Sequence, residues 1–212
     1  MELVNSIEEM QLRARQLKAF VFDWDGVFNG GFKDLNGGSQ FSESGSMGVN
    51  MVRFSAYLKN GELPYSAIIS GKENPYAVRF SEREHMHGLY MGYSDKKGAF
   101  ADFLRDHSLQ AHEVAFVYDD ILDLNVAAQA GLRIMIGGDH SDILQEQVIE
   151  RGEVDAITTL SGEQNGLRQA CEFIIELIGN FSTVVDKRVS FDADYRDYLE
   201  KRNTIRSVKQ IA

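Results

Sequence analysis

The stretch Ala19-Phe20-Val21-Phe22-Asp23-Trp24-Asp25-Gly26 decides how the chain is read. Four consecutive apolar residues, with no polar alternation, describe a short strand buried on both faces, as parallel sheets require. The run stops at two aspartates around Trp24, and then a glycine. That is turn chemistry. In an open parallel sheet, ligands bind beyond the carboxyl ends of the strands, so an acidic turn at such an end is a candidate site.

The same pattern recurs along the chain. Apolar runs at residues 66–69, 89–91, 114–117, 132–136 and 155–158 read as further buried strands. Helical spacing fills the intervals at residues 47–58, 75–84, 97–106, 122–129, 142–150 and 164–178. Pro75 suits a first helical turn, and Gly131 after Ala130 reads as a helix-ending glycine. Strand and helix in alternation predict an α/β protein with a doubly wound, mostly parallel sheet flanked by helices. Residues 29–48, rich in glycine and serine, break the rhythm. They read as a flexible loop or as a small β-hairpin insertion, the latter because Asn36-Gly37 is a strong two-residue turn.

Composition narrows the function. The 212 residues carry 22 Lys+Arg against 32 Asp+Glu, a net charge of −10, and 43% are hydrophobic. This is a globular chain rather than a disordered one. Its acidity argues against charge-driven binding of nucleic acid or membranes. No apolar run reaches the roughly 18 residues of a membrane span, and the first 17 residues mix Glu and Arg too thoroughly for a signal peptide. The lone Cys171 excludes an internal disulfide and fits a reducing cytoplasm, or any compartment where no bridge is needed. Residues 1–180 carry net −12 and residues 181–212 net +2. The expected organisation is therefore a core over 1–180 and a helical tail over 181–212.

The residues after the strands suggest a chemistry. Asp23 and Asp25 follow the first strand, Ser70-Gly71 with Lys72 the second, Asp95-Lys96-Lys97 the third, and Asp119-Asp120 with Asp123 the fourth. Aspartates from two strand ends can share a hard divalent cation, and Mg²⁺ prefers oxygen ligands. One carboxylate can attack phosphorus while a second, two residues on, serves the leaving oxygen. A hydroxyl and an ammonium can hold the phosphoryl oxygens. Taken singly each piece has a plain structural reading: a solvated turn, a Ser-Gly turn, a charged surface, an acidic helix cap. Together, in this order, they are far more specific.

These residues resemble a known superfamily. Phe22-Asp23-Trp24-Asp25-Gly26-Val27, Ile68-Ile69-Ser70-Gly71, Lys96, and Val117-Tyr118-Asp119-Asp120-Ile121-Leu122-Asp123 look like the four motifs of haloacid dehalogenase-type phosphatases. Within that superfamily the chain most resembles the 3-deoxy-D-manno-octulosonate 8-phosphate phosphatases, over roughly residues 18–180. Stretches such as Asp95-Lys96-Lys97-Gly98-Ala99-Phe100 and Gly166-Leu167-Arg168-Gln169 carry that likeness. The resemblance implies a Mg²⁺-dependent phosphomonoesterase for a small phosphorylated metabolite. Asp23 would be the nucleophile and a metal ligand. Asp25 would be general acid and base, and lend its carbonyl to the metal. Ser70 and Lys96 would hold the phosphoryl group, with Gly71 beside them; Lys72, a substrate-binding candidate, could reach a substrate carboxylate or be a solvated charge. Asp119 would bind the metal, with Asp120 a further ligand and Asp123 its support.

Spacing adds a constraint. Ser70 follows Asp23 by 47 positions and Lys96 follows Ser70 by 26, so neither interval can hold a folded cap domain. In the resembled family a neighbouring subunit closes such an open site, which implies a homotetramer with residues 29–48 in the contact. The chain also departs from the family: Trp24 replaces a small or aliphatic residue, Tyr118 a glycine, and Ser44-Gly45-Ser46 an Arg-Asp-Gly on the substrate side. A nonulosonate 9-phosphate or another phosphosugar is the alternative substrate. A non-catalytic oligomerisation module is the alternative function. A receiver domain would place its acidic pair on the first strand and its acceptor on the third, unlike this chain.

The remaining chemistry-bearing residues divide more evenly. His85 and His87 read as solvent-facing rather than as a metal pair. His140 lies after the fifth strand, on the functional edge, with Asp139 a helix cap. Arg168 is a candidate substrate or subunit contact, and Cys171 a core residue. Tyr195, Tyr198 and Leu199 give the tail a helical face that would pack on the acidic body.

Overall fold

The computed structural model describes residues 1–138 and 142–212. Among the described residues, eight strands form one sheet: β1 (Glu2–Leu3), β2 (Ala19–Phe22), β3 (Tyr65–Ser70), β4 (Gly88–Met91), β5 (Val114–Tyr118), β6 (Leu132–Met135), β7 (Ala156–Ile157) and β8 (Val208–Ile211). Their order is β1-β7-β6-β5-β2-β3-β4-β8. All neighbours run parallel except β1 and β7. The chain winds from β2 outward through β3 and β4, then returns to β5 on the other side of β2 and winds through β6 and β7. The strand order therefore reverses at β2, where α/β sheets open a crevice. The doubly wound, mostly parallel α/β fold expected from the sequence is the one observed.

Nine helices flank the sheet among the described residues: α1 (Ile7–Ala14), α2 (Glu43–Asn60), α3 (Pro75–Arg83), α4 (Lys96–Asp106), α5 (Leu124–Ala127), α6 (Asp142–Glu150), α7 (Gly166–Ile178), α8 (Phe181–Ser190) and α9 (Ala193–Asn203). Side chains alternate along a strand, so β2 feeds two cores. Phe20 and Phe22 join the layer of α1, α2, α3 and α7. Ala19 and Val21 join that of α4, α5 and α6. A large apolar side chain fully buried in such a layer contributes about 1.5–3 kcal/mol.

Caps fix where the helices near the crevice begin. Ser42 Oγ accepts from Gly45 N at 2.9 Å and starts α2. Asn74 Oδ1 accepts from Tyr76 N at 3.0 Å, with Pro75 in the first turn of α3. Asp95 Oδ1 accepts from Lys97 N at 3.0 Å, which makes Lys96 the first residue of α4.

Several expectations need correcting. Residues 29–42 form no hairpin. Asp34 and Gly38 close a turn, with Asp34 N to Gly38 O at 2.8 Å, but no strands pair on either side. The cap at Ser42 instead draws residues 43–48 into α2. Gly131 ends no helix. Its N–H donates to Ala111 O and Val114 O, and a Cβ there would lie 1.9 Å from His112 O. The helix expected at 122–129 shrinks to a 3-10 turn (Ile121–Asp123) followed by α5. The first 17 residues supply β1 and α1, which had no counterpart in the sequence reading.

The tail is helical only in part, since β8 extends the sheet beside β4. Tyr195 and Tyr198 of α9 are buried against α2, where both hydroxyls hydrogen-bond Asn50 at 2.9 Å. Arg202 pairs with Glu84 at 3.1 Å, tying the basic tail to the acidic body. Cys171 is buried in the core. His87 is largely buried rather than solvent-facing, and its Nδ1 lies 3.2 Å from Ser66 N. Burial, then the charge of Arg53, depresses its pKa to about 3. His140 and Asp139 lie outside the described residues. No helix among the described residues is long and apolar enough to cross a membrane.

Candidate active site

The strand ends bring four charged side chains together at the point where the strand order reverses. Asp23 leaves β2, Asp119 leaves β5, Asp123 closes the 3-10 turn behind it, and Lys96 opens α4. Lys96 Nζ donates to Asp23 Oδ1 at 2.5 Å and to Asp123 Oδ1 at 2.6 Å. Asp23, Lys96 and Asp123 are all buried. Gly26, at φ +82°, turns the chain so closely over the cluster that a Cβ would lie 1.9 Å from Asp119 Oδ2. No residue other than glycine fits that position without displacing the carboxylate.

One cation faces three carboxylates here, and the imbalance shows in their acidity. Burial, then the charges of Asp23 and Asp123, holds the Asp119 carboxyl far above the ordinary carboxylate range. Burial, then the charge of Asp23, raises Asp123 to about 7, against the pull of Lys96. Burial works against the Lys96 ammonium, but Asp23 and Asp123 outweigh it and raise its pKa. Among the described residues, Asp119 Oδ1 is buried with no hydrogen-bond partner. Asp23, Asp119 and Asp123 each present an oxygen within 4.8 Å of the others. An all-oxygen triad with surplus negative charge and an orphaned acceptor fits a divalent cation such as Mg²⁺.

The cluster lines a cavity of about 380 Å³ together with Asp25, Gly71, Lys72 and Asp120. Asp25 sits half-buried, and its Oδ1 accepts from Lys33 Nζ and Ser39 Oγ. Asp120 stands outside the triad: its carboxylate accepts from Ile121 N at 2.7 Å, capping the turn. The structure thus places Asp123, rather than Asp120, beside Asp23 and Asp119. Ser70, at the end of β3, is buried, and its Oγ donates to Lys72 O at 2.9 Å. Gly71 and Lys72 reach the cavity, with Lys72 exposed. Arg168 pairs with Glu172 along α7 at 2.6 Å and does not line the cavity.

Lys33, Ser39 and Asn74 are the residues that the sequence reading missed. Lys33 and Ser39 lie in the glycine-rich stretch, where no periodicity marks a facing direction. Asn74 carried a legible signal, an Asn before a Pro-initiated helix, but that signal announces a cap and not its second contact.

This fold, with the acidic cluster at the crevice of an open α/β sheet, is shared with phosphatases and hydrolases among solved structures. Residues 23–42 carry no regular secondary structure, and four residues join β3 to α3, so no cap domain interrupts either interval. Among curated proteins, the chain is 27% identical over 166 residues to the 3-deoxy-D-manno-octulosonate 8-phosphate phosphatase of Yersinia pestis, covering 77% of this chain and 82% of that one. The Escherichia coli K12 protein of the same name is 24% identical over 167 residues. Among solved structures, the Moraxella catarrhalis phosphatase of that name, in complex with magnesium, phosphate and a KDO molecule, aligns with a TM-score of 0.72. It is 22% identical and covers 88% of this chain and all of its own. The cobalt-bound phosphatase of Haemophilus influenzae aligns with a TM-score of 0.67 at 21% identity, covering 80% of this chain and 94% of its own. No protein-family model matches the chain.

Proposed function

We propose that the chain is a Mg²⁺-dependent phosphomonoesterase that forms an aspartyl-phosphate on Asp23 and acts on a sugar-acid phosphate such as 3-deoxy-D-manno-octulosonate 8-phosphate. The observation that carries the reading is Asp23 itself: a buried carboxylate, 2.5 Å from Lys96 Nζ, on the wall of a cavity that Asp25 also lines. The names of its relatives support the same chemistry.

Asp23 attacks phosphorus and the bond to the leaving oxygen breaks, while Asp25 donates its proton to that oxygen. The alcohol leaves. Asp25, now ionised, takes a proton from water, whose oxygen attacks the aspartyl-phosphate. Inorganic phosphate departs, Asp23 is free again and Asp25 is reprotonated. Lys96, with the Ser70–Gly71–Lys72 loop, holds the phosphoryl oxygens during both transfers. Asp23, Asp119 and the carbonyl of Asp25 would hold Mg²⁺, with Asp123 behind them. When bound, the cation offsets the negative charge shared by Asp23 and the phosphoryl group.

The substrate's organic part has room beyond the phosphate. A hollow of about 550 Å³ runs along residues 28–42 and shares Gly30 with the catalytic cavity. One observation favours a relative of the octulosonate ester as substrate. Ser44-Gly45-Ser46 forms the first turn of α2, and Ser46 Oγ accepts from Arg83 at 2.7 Å, an arginine already paired with Glu43 and Glu84. The substrate side of the site is thus built differently from that of the resembled family, which keeps a nonulosonate 9-phosphate or another phosphosugar as the alternative substrate.

We also propose a cytoplasmic homotetramer. The single, buried Cys171 needs no oxidising compartment. Phe32, 81% exposed, and the fully exposed Leu35 put apolar surface at the rim of an uncapped site, where a neighbouring subunit would cover it. Sedimentation equilibrium at micromolar concentration tests the assembly, and a monomer refutes it.

The activity is tested by Asp23→Asn with 4-nitrophenyl phosphate and Mg²⁺, followed by a screen of phosphorylated metabolites that includes sugar-acid phosphates. Loss of turnover with a native circular dichroism spectrum is expected. Near-wild-type hydrolysis by that variant refutes the mechanism. An inactive wild-type chain favours the non-catalytic module.

A further inference from the structure

Ser39 is buried, and its hydroxyl meets three neighbours. Trp24 Nε1 donates to Ser39 Oγ at 3.0 Å and Asn74 Nδ2 donates to it at 2.7 Å. Ser39 Oγ in turn donates to Asp25 Oδ1. A serine hydroxyl has one proton and two lone pairs. The indole nitrogen can only donate. The Asn74 amide is fixed in orientation because its Oδ1 already accepts from Tyr76 N at 3.0 Å. Both lone pairs of Ser39 are therefore occupied, and its single proton has one destination, Asp25. The indole N–H is shared with the Ser39 carbonyl, at 3.2 Å.

The same bonds join two loops. Trp24 and Asp25 belong to the turn after β2. Asn74 closes the loop after β3 that begins at Ser70-Gly71, where the phosphoryl group would sit. Lys33 shares Asp25 Oδ1, but as a partly exposed lysine it holds the carboxylate weakly. Oδ2 has no protein partner among the described residues, while Asp25 lines the catalytic cavity. Trp24, which departs from the resembled family, gains a reason: an aliphatic residue there would supply no donor to Ser39.

We infer that Ser39 is the positioning residue of Asp25, its hydroxyl clamping Oδ1 so that Oδ2 is presented to the leaving oxygen; this rests on the phosphomonoesterase reading above. A carboxylic acid helps most when the leaving group is a strong base, and little when it is a weak one such as 4-nitrophenolate. Loss of the clamp must therefore be felt unequally across esters.

The test compares kcat/KM, which reports the step that expels the leaving group, for 4-nitrophenyl and phenyl phosphate with Mg²⁺. Ser39→Ala is expected to lose roughly 10- to 100-fold on phenyl phosphate and less than about threefold on 4-nitrophenyl phosphate. Ser39→Thr, which keeps the hydroxyl, is expected to restore the wild-type ratio. Ser39→Cys, closer in volume and a poor donor, repeats the test if the alanine variant does not fold. Trp24 is the only tryptophan in the chain. Its single indole N–H resonance should move in Ser39→Ala and hold in Ser39→Thr, which reads the network without activity. Equal losses on both esters, or none on either, overturn the positioning role while leaving the phosphatase intact. A wild-type chain that hydrolyses neither ester overturns the phosphatase reading, and the role of Ser39 with it.

Discussion

A Cβ placed on Gly26 would lie 1.9 Å from Asp119 Oδ2 and 2.5 Å from its Cγ. The turn after β2 and the strand end of β5 are thus in direct contact, with nothing but the absent side chain between them. Gly26→Ala must push the Asp119 carboxylate aside by an ångström or more, and also strains a backbone at φ +82°. A misplacement of about 1 Å can cost on the order of 100-fold in rate. We expect turnover to fall by at least about that factor while the far-ultraviolet spectrum stays native. Turnover within threefold or so of wild type would mean that Asp119 is not needed where it stands.

Lys96 is the sole cation bonded to this cluster among the described residues, so its removal has a sign that can be stated. Its ammonium bonds two buried carboxylates, at 2.5 and 2.6 Å. Deleting one partner of a buried ion pair leaves an uncompensated charge, which costs about 3–5 kcal/mol. Lys96→Met, similar in length, should lose stability of that order in urea melts with a chelator present, and Mg²⁺ should recover part of it. A metal-free Lys96→Met variant as stable as wild type would show that the carboxylates take up protons and need no ammonium.

The fold was largely legible because its signals are local and repeated. A run such as Phe20-Val21-Phe22 has no stable placement except between two apolar layers, and the acidic turns sit where such strands must end. What escaped the sequence depended on distant partners. Residues 29–42 hold no apolar alternation, so nothing in them announces that Ser39 will turn inward to Asp25 and Asn74. Asp120 and Asp123 are both acids of one turn, and only the fold assigns the first to capping and the second to Lys96. Gly131 has the look of a helix end, yet it is required by the close approach of His112, a contact between separate segments. β8 pairs with β4 across more than a hundred residues of chain, and its alternating Val208-Lys209-Gln210-Ile211 carries no mark of that partner.

The aromatic nest under the turn after β2 offers a stability test. Phe80 of α3 meets Trp24, Phe28 and Phe41 at ring-centroid distances of 5.8, 4.8 and 5.1 Å. Arg83 lies 4.8 Å from the Phe41 ring centroid on the outer side. Phe80→Ala should cost about 3–5 kcal/mol, through lost burial and the cavity left behind. Because Trp24 packs directly on Phe80, emission from this single tryptophan should shift to longer wavelength even below the unfolding transition. A variant with wild-type stability and emission would show that the nest does not hold the turn.

The acidity of the triad makes the effect of pH on the metal-free protein predictable. Asp119 and Asp123 bind protons more tightly folded than unfolded, since burial and Asp23 raise both above the ordinary value of 3.8. The folded state then carries more protons than the unfolded one, so stability falls as pH rises from that ordinary value through the raised ones. With a chelator present, the melting temperature should decline between about pH 5.5 and 8. A divalent cation displaces the same protons, so its affinity should climb over that interval, by up to about tenfold per pH unit for one proton released. Calorimetric titration of Mg²⁺ in two buffers of different ionisation enthalpy measures that release directly. Asp123→Asn should reduce both the proton release and the pH dependence. Mg²⁺ binding with no proton release, or a chelated protein that gains stability up to pH 8, would show that Asp119 and Asp123 are already ionised in the folded chain.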